Sequence, residues 1–546
     1  DLASRRNEEF LYNIYVMGRD AIDDGSHDSW TEWPREIAAL TEALNSEAEN
    51  DGGNSRGTAE DYARLLRKPE DREPRGYILS ADQPDFQTAG KLVEALLETG
   101  IIVQRATADF TVAGKQYPRG SFVIETAQSF RPHILDMFEP QDHPDDIPYP
   151  GGPPTPPYDV AGWTLAYQMG VDFDRILEGF DGPFERIESL DVEPLPGSVA
   201  DARAGWFLSH EVNDAFVAVN RLLAADQRVY WLKQPTTVGG TTYPAGTFYI
   251  PAGGTVRPIL ERAAREYGLV FEGAASAPSA DALQLRAPRI ALVDRYGGSM
   301  PSGWTRWLLE QFEFPFTVVF PQELDAGDLR ERYDVIVFVD GLIPDADSDG
   351  GRRFDRDMDP NDVPAEYRAM LGSITAETTI PQLRAFLQDG GTVLTIGSST
   401  ALAQHLGLPI TNALTETVNG VTDELPRSKF YVPGSVLEVA VQNDHPLAHG
   451  MDERAMVFFD NSPTFRITGD GVTPVAWFDS ATPLRSGWAW GQSYLENGVA
   501  IAEAQVGRGQ LFLFGPEVIF RAQPHGTFKF FFNGIYYGAA EDARVR

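Results

Sequence analysis

Residues 392–406 read TVLTIGSSTALAQHL, in which a strand-like run meets a sharp corner and a helical pattern follows at once. Many α/β enzymes present a nucleophilic Ser or Cys at such a corner, because the tight turn exposes that side chain at the end of a strand. The corner differs by one residue from G-x-S-x-G, so Ser399 is a candidate nucleophile. A nucleophilic serine also needs a histidine base within hydrogen-bond reach and a carboxylate that orients the histidine.

The partners that such a serine would need are incomplete. A later strand pattern ends in Gly515-Pro516-Glu517. In class I glutamine amidotransferases the corner carries a Cys and a later strand ends in His-Pro-Glu, and the last third of this chain resembles that pattern. The resemblance places Ser398 or Ser399 at the Cys position and Gly515 at the position of the base. Because glycine accepts no proton, it implies a degenerate site, with Glu517 retained and no catalytic residue.

An acidic segment forms a second candidate site. Asp345, Asp347 and Asp349 stand at positions 1, 3 and 5 of a loop with Gly350 at position 6, which is the first half of an EF-hand-type calcium loop. Arg356 stands where the closing Glu of such a loop would be. The residues leave two interpretations open, a calcium site and a solvated acidic insertion.

The sequence contains no pattern that is typical of other metal sites. The chain has 8 His and no Cys, and neither His-x-x-Glu nor His-Glu-x-x-His occurs. The absence of Cys also excludes thiol catalysis and disulfides. Apart from calcium at the acidic loop, we expect no cofactor in this chain.

Charge and length limit the classes of function. The net charge is −35, from 80 acidic and 45 basic residues, and such a surface repels nucleic acid and anionic membranes. Every apolar run is shorter than the roughly 18 residues of a membrane span. The 546 residues exceed what one hydrophobic core holds, so about two to four domains are expected.

Two segments of the chain repeat each other. Residues 75–107 and 204–236 both show a strand, a polar turn, a helix and a second strand. A Tyr-Pro-x-Gly-x-Phe stretch then follows in both, beginning at Tyr117 and Tyr243. The repeat predicts two β-α-β-β-α units that pack as a pair. From residue 288 onward, continuous apolar strands alternate with helices, which predicts a doubly wound, flavodoxin-like α/β sheet.

The predicted organisation follows these patterns. It comprises a helix at 1–24, a polar linker at 25–72, the first repeat at 73–140, a Pro-rich spacer at 141–200, the second repeat at 201–276 and the amidotransferase-like domain at 288–546. The first helix lacks a capping residue before it, so we expect it to continue from an upstream part.

Four stretches together resemble one family. They are RRNEEFLYNIYVMGRDAI, FRPHILDMFEPQDHPD, GGPPTPPYDVAGWTLAYQMGV and SGWTRWLLEQFEFPF. They are similar to the region downstream of the catalytic domain in large secreted bacterial proteins of the M14 zinc carboxypeptidase family. In that family an N-terminal peptidase domain holds zinc on a His-x-x-Glu pair plus a distant His. A class I amidotransferase-like domain ends the chain.

The resemblance implies that this chain is the non-catalytic accessory or scaffold region of such a protein. It implies a secreted protein, extracellular or periplasmic, with zinc expected only in an upstream domain. The expected partners are that peptidase domain or its peptide substrate. Two alternatives remain at this stage: an extracellular structural or filament-forming subunit that assembles with itself, and a Ser-dependent hydrolase at Ser399.

Overall fold

The computed structural model describes residues 2–50, 59–346 and 359–545. The chain divides into two units. The first comprises Asp1–Tyr167, Val171–Glu193 and Ser486–Trp488, and the second comprises Gln168–Gly170, Pro194–Arg485 and Ala489–Arg546. Within the described ranges, no helix has both the length and the apolar composition needed to cross a bilayer.

The first unit combines helices with a sheet of short strands. Its helices are α1 (Leu2–Arg5), α2 (Asn7–Ser26), α3 (Pro34–Asn50), α4 (Ala59–Leu66), α5 (Phe86–Glu98) and α6 (Arg131–Phe138), with α7 (Leu165–Met169) at the boundary in sequence. Its strands are β1 (Gly76–Leu79), β2 (Gln104–Ala106), β3 (Phe110–Val112), β4 (Lys115–Tyr117), β5 (Phe122–Glu125), β6 (Asp174–Ile176) and β7 (Phe184–Arg186). Five of these strands form one sheet in the order β6-β1-β5-β2-β7, and β3 and β4 form a separate hairpin.

Two predicted boundaries of this unit need correction. The supposed polar linker at 25–72 contains α3 and α4. Both helices are rich in Ala, Leu and Glu, which favour helix even where the sequence is polar. The supposed spacer at 141–200 supplies β6 and β7, the two edge strands of the first sheet. Its prolines all lie outside these two strands, so they do not interrupt the ladder.

The second unit holds the remaining elements. Its helices are α8 (Ala215–Ala224), α9 (Val256–Tyr267), α10 (Met300–Gln311), α11 (Pro321–Asp325), α12 (Leu329–Arg332), α13 (Thr379–Gln388), α14 (Leu402–His405) and α15 (Phe528–Ala539). Its strands are β8 (Ser198–Val199), β9 (Gly205–Leu208), β10 (Tyr230–Leu232), β11 (Thr236–Val238), β12 (Thr241–Tyr243), β13 (Phe248–Pro251), β14 (Val270–Ala274), β15 (Ala280–Gln284), β16 (Ile290–Val293), β17 (Phe316–Val319), β18 (Val335–Phe338), β19 (Thr392–Ile396), β20 (Ile410–Asn412), β21 (Thr415–Val418), β22 (Val421–Glu424), β23 (Ser435–Val441), β24 (Arg454–Phe459), β25 (Phe465–Ile467), β26 (Val472–Trp477), β27 (Leu484–Ser486), β28 (Val499–Val506), β29 (Gly509–Phe514) and β30 (Glu541–Val545).

The repeated segments have the same internal strand order. In the first, β5 lies between β1 and β2, and in the second, β13 lies between β9 and β10. The register also agrees, since Leu79 lies opposite Phe122 and Leu208 opposite Phe248. Each segment adds a hairpin, β3–β4 or β11–β12, that the predicted β-α-β-β-α scheme lacks. That the two segments pack as a pair stays a prediction.

The second repeat is larger than predicted. Its sheet has the order β30-β15-β10-β13-β9-β14-β8, and β15, β8 and the C-terminal β30 all lie outside the predicted range 201–276. The last strand pairs with β15 over five positions, from Ala280 opposite Val545 to Gln284 opposite Glu541. The boundary at 276 is therefore corrected, because the end of the chain completes this sheet.

The remaining large sheet is doubly wound, as predicted. Its parallel part has the order β17-β16-β18-β19-β29, which is 2-1-3-4-5 in chain order, and antiparallel strands beginning with β28 continue it. Alternate residues of one strand enter different cores. Val337 packs with the α10 and α15 side of the sheet, and Ile336 packs with the α13 side. Helices therefore cover both faces, and the carboxyl ends of the parallel strands meet at one edge.

Candidate functional site

A cavity of about 350 Å³ opens at the carboxyl edge of the parallel strands. Such crevices are where open α/β sheets usually bind ligands. Its walls come from α10 and from the loops after β18, β19, β24 and β29. The lining residues are Met300, Pro301, Trp304, Thr305, Val339, Asp340, Ile396, Gly397, Ser398, Asp460, Asn461, Ser462, Pro463, Glu517, Ile519, Phe520 and Arg521. We call this space the elbow cavity.

The turn after β19 takes a left-handed backbone conformation at Gly397. This residue has φ of +58°, a left-handed conformation that glycine adopts without steric cost. A Cβ atom at this position would lie 2.5 Å from Asp340 Oδ1. The sharpest point of the corner, from which a nucleophilic side chain would project, therefore carries no side chain.

Ser398, which follows the corner, is bonded to a carboxylate. Its hydroxyl donates to Asp340 Oδ1 at 2.7 Å, and its backbone N–H donates to the same oxygen at 2.8 Å. The backbone N–H of Gly341 donates to the Ser398 hydroxyl at 3.0 Å. These bonds tie the turn after β19 to the loop after β18.

Ser399 is fully buried and does not line the elbow cavity. Its hydroxyl donates to the carbonyl of Val339 at 2.6 Å. It accepts the backbone N–H groups of Leu342 and Ile343 at 3.1 and 3.2 Å. This hydroxyl thus holds the loop after β18 in place.

The position at which the resemblance places the catalytic base has no room for a side chain. Gly515 has no side chain, and a Cβ atom there would lie 2.1 Å from the carbonyl oxygen of Pro463. Two histidines are close in sequence to the elbow or to Glu517, and neither lines the cavity. His405 Nε2 faces the carbonyl of Pro344 at 2.9 Å, and His525 Nδ1 faces that of Gln523 at 2.8 Å. The predicted degenerate elbow stays a prediction, and these contacts are in accord with it.

Three carboxyl groups line the cavity instead of a catalytic triad. Burial raises the pKa of Glu517 to about 8, and the negative charges of Asp340 and Asp460 add to the shift. Asp460 also has a raised pKa, chiefly because partial burial of its carboxyl group disfavours the charged form. At pH 7 Glu517 is therefore mostly protonated and can donate a hydrogen bond, while an approaching cation would favour its ionised form.

Glu517 was predicted from the sequence as a residue of the elbow site, whereas Asp340 and Asp460 were not. Each aspartate comes directly after a run of apolar residues, in VIVFVD and AMVFFD. A carboxylate at the end of a strand is the available signal for both. It is convincing only once the topology brings β18 and β24 to the same edge, because the two residues are far apart in sequence.

Aromatic side chains form the outer wall of the elbow cavity. Trp304 lines it with 39% of its surface exposed, and Trp307 lies edge-on to this ring at 6.1 Å. Arg521, with φ of +49°, stacks its guanidinium over the ring of Phe520 at 5.0 Å. The cavity thus combines an acidic interior with an aromatic rim.

A second cavity, of about 400 Å³, adjoins the first. The two share Ser398, Asn461, Ser462 and Pro463 as lining residues. The second is also lined by all three residues of β20 and by Tyr431. We call it the strand cavity.

The acidic loop predicted to hold calcium is described only in part. Asp345 lies within the described residues, whereas Asp347 and Asp349 lie outside them. Within the described ranges, no group of three His, Asp or Glu side chains is arranged as a metal site. The calcium site therefore stays a prediction.

Comparisons with known proteins found matching structures but no matching family or sequence. The chain matches no known family model, and no curated protein is significantly similar in sequence. A protein from Thermoplasma acidophilum, described as part of a GMP synthase, is 12% identical and is similar over 45% of this chain and 92% of its own, with a TM-score of 0.26. PurLQS from Thermotoga maritima is 15% identical over 46% and 99% of the two chains, with a TM-score of 0.27.

These two structures have glutamine amidotransferase-like folds. A β-galactosidase from Bacillus circulans is 10% identical over 47% of this chain and 30% of its own, with a TM-score of 0.25. Scores this low carry no argument about fold or activity. The doubly wound assignment therefore rests on the strand order of this chain.

Proposed function

We propose that this chain is the non-catalytic accessory region of a secreted bacterial protein of the M14 zinc carboxypeptidase type. In this proposal its C-terminal α/β domain binds a ligand at the elbow cavity and does not hydrolyse it. The accessory role is supported by the four stretches of sequence resemblance. The binding role is supported by the cavity at the carboxyl edge of the sheet.

One observation carries the non-catalytic part of the proposal. The elbow has the backbone of a nucleophile turn but lacks the groups that would react. Gly397 occupies the corner, and the hydroxyls of Ser398 and Ser399 are engaged by a carboxylate, a backbone carbonyl and backbone N–H groups. No histidine lies within reach of either hydroxyl among the residues that line the cavity.

In the proposed parent protein the reaction is zinc-dependent peptide hydrolysis. A zinc-bound water would attack a C-terminal peptide bond in the peptidase domain, through residues that this chain does not contain. The present chain would supply packing surface, substrate binding or assembly. A purified chain that holds stoichiometric zinc, measured by elemental analysis, would contradict this division of labour.

The elbow itself is tested with a fluorophosphonate probe, which labels activated serines. We expect the purified chain to remain unlabelled under conditions in which an active serine hydrolase, used as the positive control, is labelled fully. Labelling that disappears in Ser399→Ala but persists in Ser493→Ala, a substitution of an exposed serine, would overturn the proposal. It would support the hydrolase alternative instead.

A second function, as a component of an extracellular assembly, is favoured by helix α2. Leu11, Ile14 and Met17 on this helix are 65%, 66% and 70% exposed. Exposed apolar clusters of this kind often mark association surfaces. Light scattering of the purified chain separates the two proposals: a concentration-dependent assembly that Leu11→Glu and Ile14→Glu abolish would favour the structural role.

A further inference from the structure

We propose that the elbow cavity and the strand cavity form one cleft that binds an extended peptide segment carrying a Lys or Arg side chain. The basic side chain would enter the elbow cavity, and the peptide backbone would lie along β20 in the strand cavity. This inference rests on the proposed non-hydrolytic binding function and adds the chemical class of the ligand.

The two cavities share part of their lining. Ser398 and the run Asn461–Pro463 line both. Their volumes of about 350 and 400 Å³ together fall within the range of ligand clefts that take more than a single small group. In the proposed complex an elongated ligand occupies both spaces and passes from one to the other beside Ser398.

Strand β20 offers an unpaired edge to the strand cavity. It pairs with β25 on one side, and no second partner strand is found within the described ranges. Ala413 N–H donates to the carbonyl of Thr464 at 2.8 Å, and Thr468 N–H to that of Pro409 at 2.9 Å. In an antiparallel ladder, hydrogen-bonded positions alternate along the strand.

The alternation determines which backbone groups face the cleft. With residues 409, 411 and 413 bonded towards β25, the carbonyl of Ile410 and the N–H and carbonyl of Asn412 point to the opposite edge. All three residues of the strand line the strand cavity. An extended peptide can add to such an edge by main-chain hydrogen bonds, which is how many peptide-binding domains work.

Charge determines which side chain the elbow cavity prefers. Asp340, Asp460 and Glu517 line it together, and the whole chain carries a net charge of −35. An ammonium or guanidinium group would relieve the mutual repulsion of these carboxyl groups. The exposed ring of Trp304 adds a cation–π contact at the rim. Among the described lining residues, the other charged group is Arg521, which stacks on Phe520.

Other occupants fit these features less well. A divalent cation would need three grouped ligands, and the described ranges contain no such group. A neutral oligosaccharide would use the aromatic rim, but it would leave the repulsion of the carboxyl groups unrelieved and the edge of β20 unpaired. Both remain outcomes of the test.

Binding of a cation should be linked to loss of a proton from Glu517. This group has a pKa of about 8 in the free chain, because of its burial and its two acidic neighbours. A bound Lys side chain would favour the ionised form. Affinity should therefore rise as pH increases from 6.5 towards 8.5, with protons released on binding.

The test uses the full chain and isothermal titration calorimetry. The probes are the capped pentapeptide Val-Thr-Lys-Thr-Val, its norleucine counterpart, and the Lys peptide with two N-methylated backbone positions. We expect the Lys peptide to bind at least tenfold more tightly than the norleucine peptide, and N-methylation to weaken it at least fivefold. Titrations in buffers of different ionisation enthalpy should show proton release.

Variants test the contribution of the Glu517 carboxyl group to binding. Glu517→Gln should weaken binding of the Lys peptide and remove its dependence on pH between 6.5 and 8.5. Glu496→Gln, at an exposed glutamate, should change neither. Circular dichroism of each variant checks that it is folded, and the N-methylated peptide tests the strand contact without changing the protein.

Three results would overturn the inference. They are equal affinity for the Lys and norleucine peptides, no binding of any of the peptides, and tighter binding of calcium or of a chitin oligosaccharide that excludes the peptide. Mass spectrometry of the recovered peptide distinguishes failure of the non-hydrolytic function from failure of the peptide-binding inference. A cleaved peptide would refute the non-hydrolytic function while leaving peptide binding in place, and an intact, unbound peptide would refute only the present inference.

Discussion

The hydroxyl and the backbone N–H of Ser398 both donate to one oxygen, Oδ1 of Asp340, at 2.7 and 2.8 Å. In a serine hydrolase the hydroxyl would donate to a histidine that can accept its proton. Here the acceptor is a carboxylate that also fixes the turn after β19. The same aspartate lines the elbow cavity, so one side chain both shapes the corner and contributes charge to the site.

The close approach at this corner predicts a large effect of Gly397→Ala. The new Cβ atom would lie 2.5 Å from Asp340 Oδ1, on a residue whose φ is +58°. We expect the free energy of unfolding of the second unit to fall by about 2 to 4 kcal/mol, from left-handed strain plus the steric clash. Urea denaturation followed by tryptophan fluorescence measures this change.

A second glycine provides the control for this substitution. Gly407 has a similar φ of +69°, but a Cβ atom there would meet nothing within 4 Å. Gly407→Ala should therefore lose only the strain contribution, about 1 kcal/mol. Equal losses in the two variants would show that the contact with Asp340 is unimportant.

Ser399→Ala should destabilise the chain, whether or not Ser399 has a catalytic role. The substitution removes the acceptor of two N–H groups, that of the buried Ile343 and that of the partly buried Leu342. We expect a loss of about 2 to 4 kcal/mol, since each unsatisfied buried group costs roughly 1 to 3 kcal/mol. Thermal unfolding measures it, with Ser493→Ala at an exposed serine as the comparison. A thermal midpoint unchanged in both variants would contradict the assigned role of the Ser399 hydroxyl.

Buried histidines should make the second unit sensitive to acid. Burial lowers the pKa of His210 to about 3 and that of His449 to about 4. The indole N–H of Trp231 donates to His449 Nδ1 at 2.7 Å, which requires that nitrogen to be unprotonated. Unfolded histidine has a pKa near 6.5. Below this pH the unfolded chain takes up protons that the folded chain does not, so stability falls as the pH decreases.

The variant that tests this is His449→Gln, because glutamine retains an acceptor for Trp231. We expect the decline in unfolding free energy between pH 6.5 and 4.5 to become shallower, by about 1 kcal/mol per pH unit at most. His27→Gln, at an exposed histidine of the chain, should leave the profile unchanged. A profile identical in all three proteins would exclude His449 as a source of acid sensitivity.

Local patterns were sufficient to predict much of the fold. The strands around Ile336 and Leu394 read as continuous apolar runs because helices cover both faces of the sheet. The internal repeat predicted two segments, and the matching pairs Leu79–Phe122 and Leu208–Phe248 show how closely their backbones agree.

Long-range pairing accounts for what the sequence did not predict. Strand β30 joins β15 across more than half of the second unit, and no local signal identifies a partner at such a separation. The same holds for the site. Asp340 and Asp460 converge only because the sheet brings the ends of β18 and β24 together, so the acidic cavity is a property of topology. The backbone of the elbow was visible in sequence, whereas its bonding partners were not.

The raised pKa of Glu517 predicts a change of stability with pH that is opposite in sign to that of the histidines. Its folded pKa is about 8, against about 4.5 for an ordinary glutamate. Between these values the folded chain holds a proton that the unfolded chain has lost, so stability falls as the pH rises towards 8. Above about pH 7.5 the histidines are neutral in both states and no longer contribute, and below that pH a comparison with a Glu517 variant cancels their share, because both proteins carry the same histidines.

Glu517→Gln should remove this decline, because the amide is neutral at every pH in the range. We expect the free energy of unfolding of the unmodified chain to fall by about 1 to 2 kcal/mol relative to that of the variant between pH 6.5 and 8.5. Glu496→Gln, at an exposed glutamate, should follow the unmodified chain. Urea denaturation at each pH measures all three proteins. A decline that persists in Glu517→Gln would mean that this carboxyl group is already ionised at pH 7, in which case the proton release expected on cation binding would also be absent.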